Sequence, residues 1–147
     1  MGIKTSPNID LGYQVNFAGP VEESVTISSN TATGTINYDL LNNKNVLYYT
    51  SASTGNFTLN IRGNATTTLN SLMYIGQVLT IVFMNTNSTT AYYQTGFQID
   101  GVSVTPKWQG GAVPAAGNAS SIDVYTVTIM KTAENTYTAL EQLTKFA

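Results

Sequence analysis

The sequence predicts an all-β protein: a single antiparallel β-sandwich or jelly-roll-like domain with one short helix and an extended N-terminal arm. Three observations predict this class. Short neutral polar residues are abundant, with 23 Thr, 15 Asn and 11 Ser among 147 residues, and Thr suits half-exposed strands whereas Asn and Ser suit turns. Apolar and polar residues alternate along much of the chain, as they do in strands with one buried face. Polar interruptions recur about every eight to twelve residues, a spacing typical of sandwiches and barrels.

The chain is predicted to start with an arm and to continue as one domain. Residues 1–10 contain few apolar side chains, so we expect an extended arm there and a β-sandwich domain over residues 11–147. The first alternating segments, 13–17 and 21–27, are predicted strands. Residues 28–30 are Ser, Ser and Asn, which favour a turn.

Three further strands are predicted in the first half of the domain. Residues 33–38 and 46–50 carry strand-forming residues and are separated by the polar segment 42–45. The clearest strand covers residues 57–62, where Phe, Leu and Ile alternate with Thr, Asn and Arg before Gly63. Period-two alternation of this kind predicts one buried and one exposed face.

A short helix and a central strand are predicted next. Residues 64–73 lack alternation, and their apolar residues lie three and four positions apart, which indicates a short helix capped by Asn64 or a Thr and ending near Gly76. Residues 77–84 form a nearly continuous apolar run of strand length. Such a run predicts a central strand covered on both faces.

The C-terminal part is predicted to contain two hairpins and a long loop. Asp100-Gly101 stands between alternating apolar residues, and this dipeptide favours a tight turn because both positions tolerate a positive φ. A segment rich in Gly, Ala, Pro and Ser at 109–121 is predicted to be a surface loop. The last two strands, 122–130 and 137–146, are expected to pair through a four-residue loop at 132–135.

The composition excludes many functions. The chain has no Cys and no His, which excludes disulfides, thiolate chemistry, histidine-based triads and common zinc sites. Only 10% of the residues are charged, against about 25% in ordinary proteins, and the six scattered basic residues do not form the basic surface that nucleic acid requires. No apolar stretch is long enough to suggest membrane insertion. We therefore expect neither nucleic acid nor a membrane as a partner.

The carboxylates do not suggest catalysis, since glycosidase-type chemistry needs two of them about 5–10 Å apart. Glu22 and Glu23 are adjacent, and adjacent strand residues point to opposite faces. Four others are expected in turns or on the solvent side of strands: Asp100, Glu134, Asp123 and Glu141. No calcium-loop or phosphate-loop motif is present. The sequence therefore predicts no enzyme, no catalytic residue, no metal and no cofactor.

Five aromatic residues are candidate interface residues: Tyr48, Tyr49, Tyr92, Tyr93 and Trp108. Each Tyr pair is expected to place one ring outside the core, because consecutive strand residues face opposite ways. Exposed Tyr is common at protein interfaces, although such a ring also serves to cover a sheet edge. Trp108, beside Gly110 and Gly111, is either an anchor for the following loop or a contact residue at an assembly interface.

The order of motifs over residues 45–147 resembles a structural module of the virions of marine tailed phages, especially cyanophages. The residues that carry this resemblance are Asn56–Asn64, Thr68–Met73, Tyr92–Gly101, Pro106–Gly111 and Ser120–Lys131. None of these motifs is a catalytic signature. The resemblance implies a module that occurs in tail-fibre-like and other virion proteins behind varied N-terminal segments.

What this resemblance implies is a non-enzymatic protein of the virion, made in the bacterial host cytoplasm. The first expectation is an exterior head decoration or head-fibre protein that contacts other virion proteins, with residues 1–10 docking it to the shell. The alternative is a tail-fibre or receptor-binding subunit whose loops at 85–96 and 109–121 contact host-surface glycans. A homo-oligomer is expected, as a trimer, because phage decoration proteins and fibres commonly close around three-fold axes.

Overall fold

The computed structural model describes residues 23–147. Ten strands and one short helix form in this part of the chain: β1 Val25–Thr31, β2 Gly34–Asp39, β3 Val46–Ala52, β4 Phe57–Arg62, α1 Leu69–Leu72, β5 Val78–Thr86, β6 Gln94–Ile99, β7 Val102–Ser103, β8 Lys107–Trp108, β9 Ile122–Ala133 and β10 Thr136–Phe146. The prediction of a mostly β protein with one short helix is confirmed. The predicted arm at 1–10 and the strand at 13–17 lie outside the described residues.

The first six strands alternate between two sheets. Strands β1, β3 and β5 are parallel neighbours in a six-stranded sheet with the order β1-β3-β5-β9-β10-β8, and β2, β4 and β6 are parallel neighbours in a four-stranded sheet with the order β2-β4-β6-β7. Equivalent residues of successive strands therefore stack: Ile36 lies beside Leu59, and Leu59 beside Phe97. These stacked apolar rows fill the space between the two sheets.

The prediction of an antiparallel, jelly-roll-like arrangement is wrong, because both sheets are mixed and every pairing of one of the strands β1 to β6 with another of them is parallel. Alternation has the same period in parallel and antiparallel strands. A short connection can either form a hairpin within one sheet or carry the chain to the facing sheet. Ala32-Thr33 carries it from β1 of the six-stranded sheet to β2 of the four-stranded sheet. Turn spacing alone does not distinguish these two connections.

The hairpin predictions are confirmed. Asp100 and Gly101 have φ angles of 52° and 78°, as a two-residue turn with positive φ at both positions requires, and they join β6 to β7. Strands β9 and β10 form a long antiparallel hairpin in which Thr136 lies opposite Ala133. The connecting turn is Glu134-Asn135, two residues shorter at its start than the predicted loop at 132–135.

Two other local predictions need correction. Residues 28–30 belong to β1 rather than to a turn, because Thr50 and Ser51 donate hydroxyl hydrogen bonds to the carbonyls of Ser28 and Ser29 and hold this irregular part of the strand. Strand β5 is central in its sheet, between β3 and β9, but it is not covered on both faces. Its side chains alternate in burial, and Val78 is 60% exposed.

An aromatic cluster joins the two sheets. The Phe57 ring of β4 packs edge-to-face against Phe83 of β5 and Tyr125 of β9, with ring centroids 5.4 and 5.6 Å away. Phe57 is 1% exposed, and such edge-to-face pairs add about 0.5–1.5 kcal/mol each beyond the burial of apolar area. The core therefore lies directly between β4 and the β5–β9 pair.

The helix is shorter than predicted and is held at both ends. The Thr68 hydroxyl accepts a hydrogen bond from the Ser71 amide, in agreement with the predicted Thr cap. The carboxylate of Asp100 accepts hydrogen bonds from the first two helical amides at 2.6 and 3.0 Å. At the other end, the Lys131 ammonium donates to the carbonyls of Asn70 and Met73. Asp100 lies in the turn that joins β6 to β7 of the four-stranded sheet, and Lys131 lies in β9 of the six-stranded sheet, so α1 ties the two sheets together.

Candidate functional site

The face of β1, β3, β5, β9 and β10 that points away from the core is uncharged and mostly apolar. Strand register brings its residues into rows, so that Ile27, Tyr48, Met84 and Val124 are neighbours across four strands. We call this surface the outer face; its residues are Val25, Ile27, Val46, Tyr48, Val78, Thr80, Val82, Met84, Thr86, Ile122, Val124, Thr126, Thr128, Met130, Thr138, Leu140, Gln142, Thr144 and Phe146. Ile27 is 67% exposed and Val78 60%. A wide exposed apolar patch of this kind is typical of an interaction surface.

The charges of the same strands point the other way. Asp123, Lys131 and Glu141 alternate with the outer-face residues and are at most 3% exposed. Among the described residues of β1, β3, β5, β9 and β10, no charged side chain lies on the outer face, and Lys107 of the edge strand β8 is the first charge beside it. An isolated soluble protein usually has the opposite arrangement. This surface is therefore suited to contact with another uncharged surface.

The prediction that Asp123 and Glu141 face solvent is wrong. Each lies between apolar residues in the sequence, and such alternation predicts that the charged side chain is on the solvent side of its strand. In β9 both faces carry apolar residues, however, and the inward set includes Tyr125, Val127 and Ile129. That set fills the core and brings Asp123 of the same strand inside with it. Glu141 of β10 lies opposite the inward-facing Val127, so the pairing of the two strands places it on the inner side as well.

Asp123 is buried within a hydrogen-bond network that joins two loops. Its carboxylate accepts hydrogen bonds from the Asn87 amide side chain at 3.1 Å, the Asn118 backbone at 3.0 Å and the Ser121 hydroxyl at 3.3 Å. Burial raises the pKa of Asp123. The hydrogen bonds from the Asn118 amide and the Ser121 hydroxyl oppose this rise. Asn87 also donates to the carbonyl oxygen of Tyr92. The network fixes the segment before β6 to the segment before β9.

We expect Gly117→Ala to destabilise this network. A Cβ atom at Gly117 would lie 2.5 Å from the carbonyl oxygen of Tyr92 and 2.8 Å from Asp123 Oδ2, so the loop must move. The free energy of unfolding should fall by about 1–3 kcal/mol, measured by urea denaturation. The matched control is Gly55→Ala, whose nearest contact is the hydroxyl of the exposed Thr33, and its loss should be smaller. Equal midpoints for Gly117→Ala and the unaltered chain would contradict the expected clash.

Glu141 is the other buried carboxyl group, and neither of its oxygens has a hydrogen-bond partner among the described residues. Burial raises its pKa to about 8, and the nearby Gln94 amide opposes part of that rise. The group is therefore mainly protonated at neutral pH. Gln94 Oε1 is also buried and unpartnered, although the Gln94 backbone amide donates to the Tyr125 hydroxyl.

The five candidate aromatic residues do not form one site. Tyr48 lies on the outer face, and Tyr49 points inward with its ring centroid 5.2 Å from that of Phe83. This pair therefore does face opposite ways. Tyr92 and Tyr93 precede β6 instead of lying in a strand, and both are half-buried. Their backbone amides donate to the side-chain oxygens of Asn87 and Asn56, so alternation does not apply to them.

Trp108 lies in β8, beside Glu141 of β10. Its side chain is half-buried and packs against the edge of the core. This position agrees with an anchoring role for Trp108 at the start of the long loop. It lies on the inward side of the sheet, away from Tyr48.

Sequence reasoning missed the outer face as a unit, although a signal for it was present. Asp123, Lys131, Glu141 and Lys145 all have odd numbers in two strands that pair without a register shift over most of their length. Period-two geometry therefore places all four on one side of the hairpin. The opposite side of β9 and β10 therefore has no charged residue, and this side belongs to the outer face.

Within the described residues, no group of three or more Asp or Glu side chains is arranged to hold a metal ion. No described helix is long and apolar enough to cross a membrane. Comparisons with protein-family models, with curated proteins and with solved structures yielded no match for this chain.

Proposed function

We propose that the chain is a non-enzymatic structural protein of a phage virion, of the exterior head-decoration or head-fibre type. The observation that supports an assembly role is the outer face, an uncharged and mostly apolar surface on a sheet in which the charged residues of β9 and β10 lie on the opposite side. The virion setting is carried by the resemblance of residues 45–147 to a cyanophage-type module. Many copies of a weakly charged domain pack side by side without strong like-charge repulsion.

The same proposal assigns the outer face to contacts between copies of the chain, with a homotrimer as the expected assembly. A second copy offers an equally uncharged surface, so no charge is left buried without a partner. A charged surface of another protein would lose its hydration against this face and gain no counter-charge. In this proposal the remaining surfaces and the arm at residues 1–10 make the contacts with other virion proteins.

The alternative function is a tail-fibre or receptor-binding subunit that contacts host-surface glycans. Its support is the rigid attachment of the two candidate loops to each other through Asn87 and Asp123. Loops held by a fixed scaffold are well suited to binding.

Locating the chain in a three-dimensional reconstruction of intact particles tests these two functions against each other. We expect density for the domain on the capsid lattice. Density at the tail tip would contradict the decoration function and support the receptor-binding alternative. If mass spectrometry showed that purified particles lack the chain, the virion proposal itself would be wrong.

A further inference from the structure

A cluster of polar side chains lies where the helix α1 meets the end of the β9–β10 hairpin. Lys131 of β9 is 3% exposed, and its ammonium group donates hydrogen bonds to the backbone carbonyls of Asn70 and Met73 at 2.8 and 3.0 Å. Its third contact is Glu134 Oε2 in the hairpin turn, 3.3 Å from Nζ. The nitrogen atom of this lysine is therefore fixed between the helix and the turn.

The Glu134 carboxylate joins this lysine to the side chain of Asn70. Glu134 Oε1 accepts a hydrogen bond from Asn70 Nδ2, while Oε2 contacts Lys131 Nζ. An amine and a carboxamide are thus bound by the two oxygens of one carboxylate. The hydrogen bond from Asn70 and the contact with Lys131 lower the pKa of Glu134, so at neutral pH the carboxylate is ionised and can accept a proton.

Two donors contact the carbonyl oxygen of the same carboxamide. Asn70 Oδ1 accepts hydrogen bonds from the Asn135 backbone amide at 2.9 Å and from the Tyr137 hydroxyl at 3.3 Å. Burial raises the pKa of Tyr137 to about 12, so this hydroxyl keeps its proton at neutral pH. Donors placed around a carbonyl oxygen stabilise the negative charge that develops there when a nucleophile attacks the carbon.

We propose that the side chains of Lys131 and Asn70 react once in each folded chain to form an isopeptide bond, with Glu134 as the catalytic acid and base. Acyl transfer needs a nucleophile, a base within hydrogen-bond reach and donors for the oxyanion. The cluster brings all three to one carboxamide. The proposal does not rest on the outer face, and a failure of either leaves the other standing.

The reaction exchanges one amide for another. A proton passes from the Lys131 ammonium group to Glu134, and the lone pair of Nζ then forms a bond to Asn70 Cγ. Glu134 gives this proton to Nδ2, the Cγ–Nδ2 bond breaks, and ammonia leaves and takes the second Nζ proton away as ammonium. The chain loses one positive charge, and no oxidant, reductant or further reactant takes part.

The product is a covalent link between α1 and β9. It closes a loop that contains β5 to β8, and a cross-link between such distant residues stabilises a fold by restricting the unfolded chain, as a disulfide does. The chain has no Cys, so an isopeptide bond is a cross-link that it can form without thiols.

Intact-mass spectrometry of the full chain tests the proposal. Prolonged incubation of the folded protein at neutral pH should lower its mass by that of one ammonia molecule, whereas incubation in concentrated urea should not, because the cluster exists only in the folded chain. Trypsin does not cut after an acylated lysine, so the digest should contain residues 63–107 joined to residues 108–145. An unchanged mass, or a loss of ammonia without this branched peptide, would overturn the proposal.

Two variants identify the reacting groups. Glu134→Gln removes the acid and base at an exposed position and should slow bond formation by about 100-fold, whereas the control Glu23→Gln, also exposed, should leave the rate unchanged. Lys131→Arg keeps the charge but not the amine, so it should lose no ammonia, and Glu134→Gln keeps the test if this buried variant does not fold. An unchanged rate in Glu134→Gln, or ammonia loss from a folded Lys131→Arg, would overturn the assignment.

Discussion

Glu141→Gln is expected to stabilise the protein at neutral and alkaline pH by about 4 kcal/mol. Burial raises the pKa of Glu141 from 4.5 to about 8, so the folded state keeps a proton that the unfolded state releases above pH 4.5. The stability contributed by that proton is complete below pH 4.5 and is lost as the pH rises towards 8. Gln has no proton to release, so the substitution should abolish this loss.

The measurement is the free energy of unfolding in urea between pH 4.5 and 8, at one protein concentration because oligomerisation affects the midpoint. For the unaltered chain this free energy should fall with rising pH, by up to about 1.4 kcal/mol per pH unit from Glu141 alone. Asp123, whose pKa is also raised by burial, is present in both proteins and does not affect their comparison. The matched control is Glu134→Gln, at an exposed carboxylate whose pKa is lowered by Asn70 and Lys131, and it should not reduce the slope. A variant Glu141→Gln that keeps the full slope would contradict the buried, protonated state of Glu141.

Much of the fold could be predicted from the sequence because its strands obey local rules. Strand β4 was predicted with its observed bounds, since Phe57, Leu59 and Ile61 alternate with polar residues. The Asp100-Gly101 turn was predictable because few residue types tolerate its φ angles. Outside the two hairpins, which strands pair was not predictable. The stacking of β2, β4 and β6 depends on contacts between residues more than twenty positions apart, and a single sequence carries no signal for such pairs.

Less of the candidate site could be predicted, and the reason is physical. Which face of β9 points inward depends on which of its two apolar sets fills the core. One set is Tyr125, Val127 and Ile129, and the other includes Val124 and Met130. The expectation that charged residues face solvent predicts the wrong inward face, because Asp123 lies on the buried side. Buried charge is tolerated here where partners exist, as at Lys131 and at Asp123. Such partners arise only from tertiary structure.

A charge on the outer face should separate the proposed oligomer without unfolding its subunits. Val82 lies in a row between Val46 and Thr126 and is half-buried by its neighbours. Val82→Lys in a free subunit leaves the ammonium group in water, whereas the same group in an uncharged contact has no counter-ion. Burying an unpaired charge costs several kcal/mol, so the dissociation constant should rise at least about 100-fold. Circular dichroism should show unchanged β structure.

Sedimentation equilibrium of the purified chain, compared with Val82→Lys, tests the role of the outer face most directly. The control is Val102→Lys, the same change at a valine of the four-stranded sheet that is 67% exposed. The unaltered chain and Val102→Lys should sediment as oligomers, with a trimer expected, and Val82→Lys should sediment as a folded monomer at the same concentration. A monomeric unaltered chain, or an oligomer that Val82→Lys leaves intact, would contradict assembly through this face.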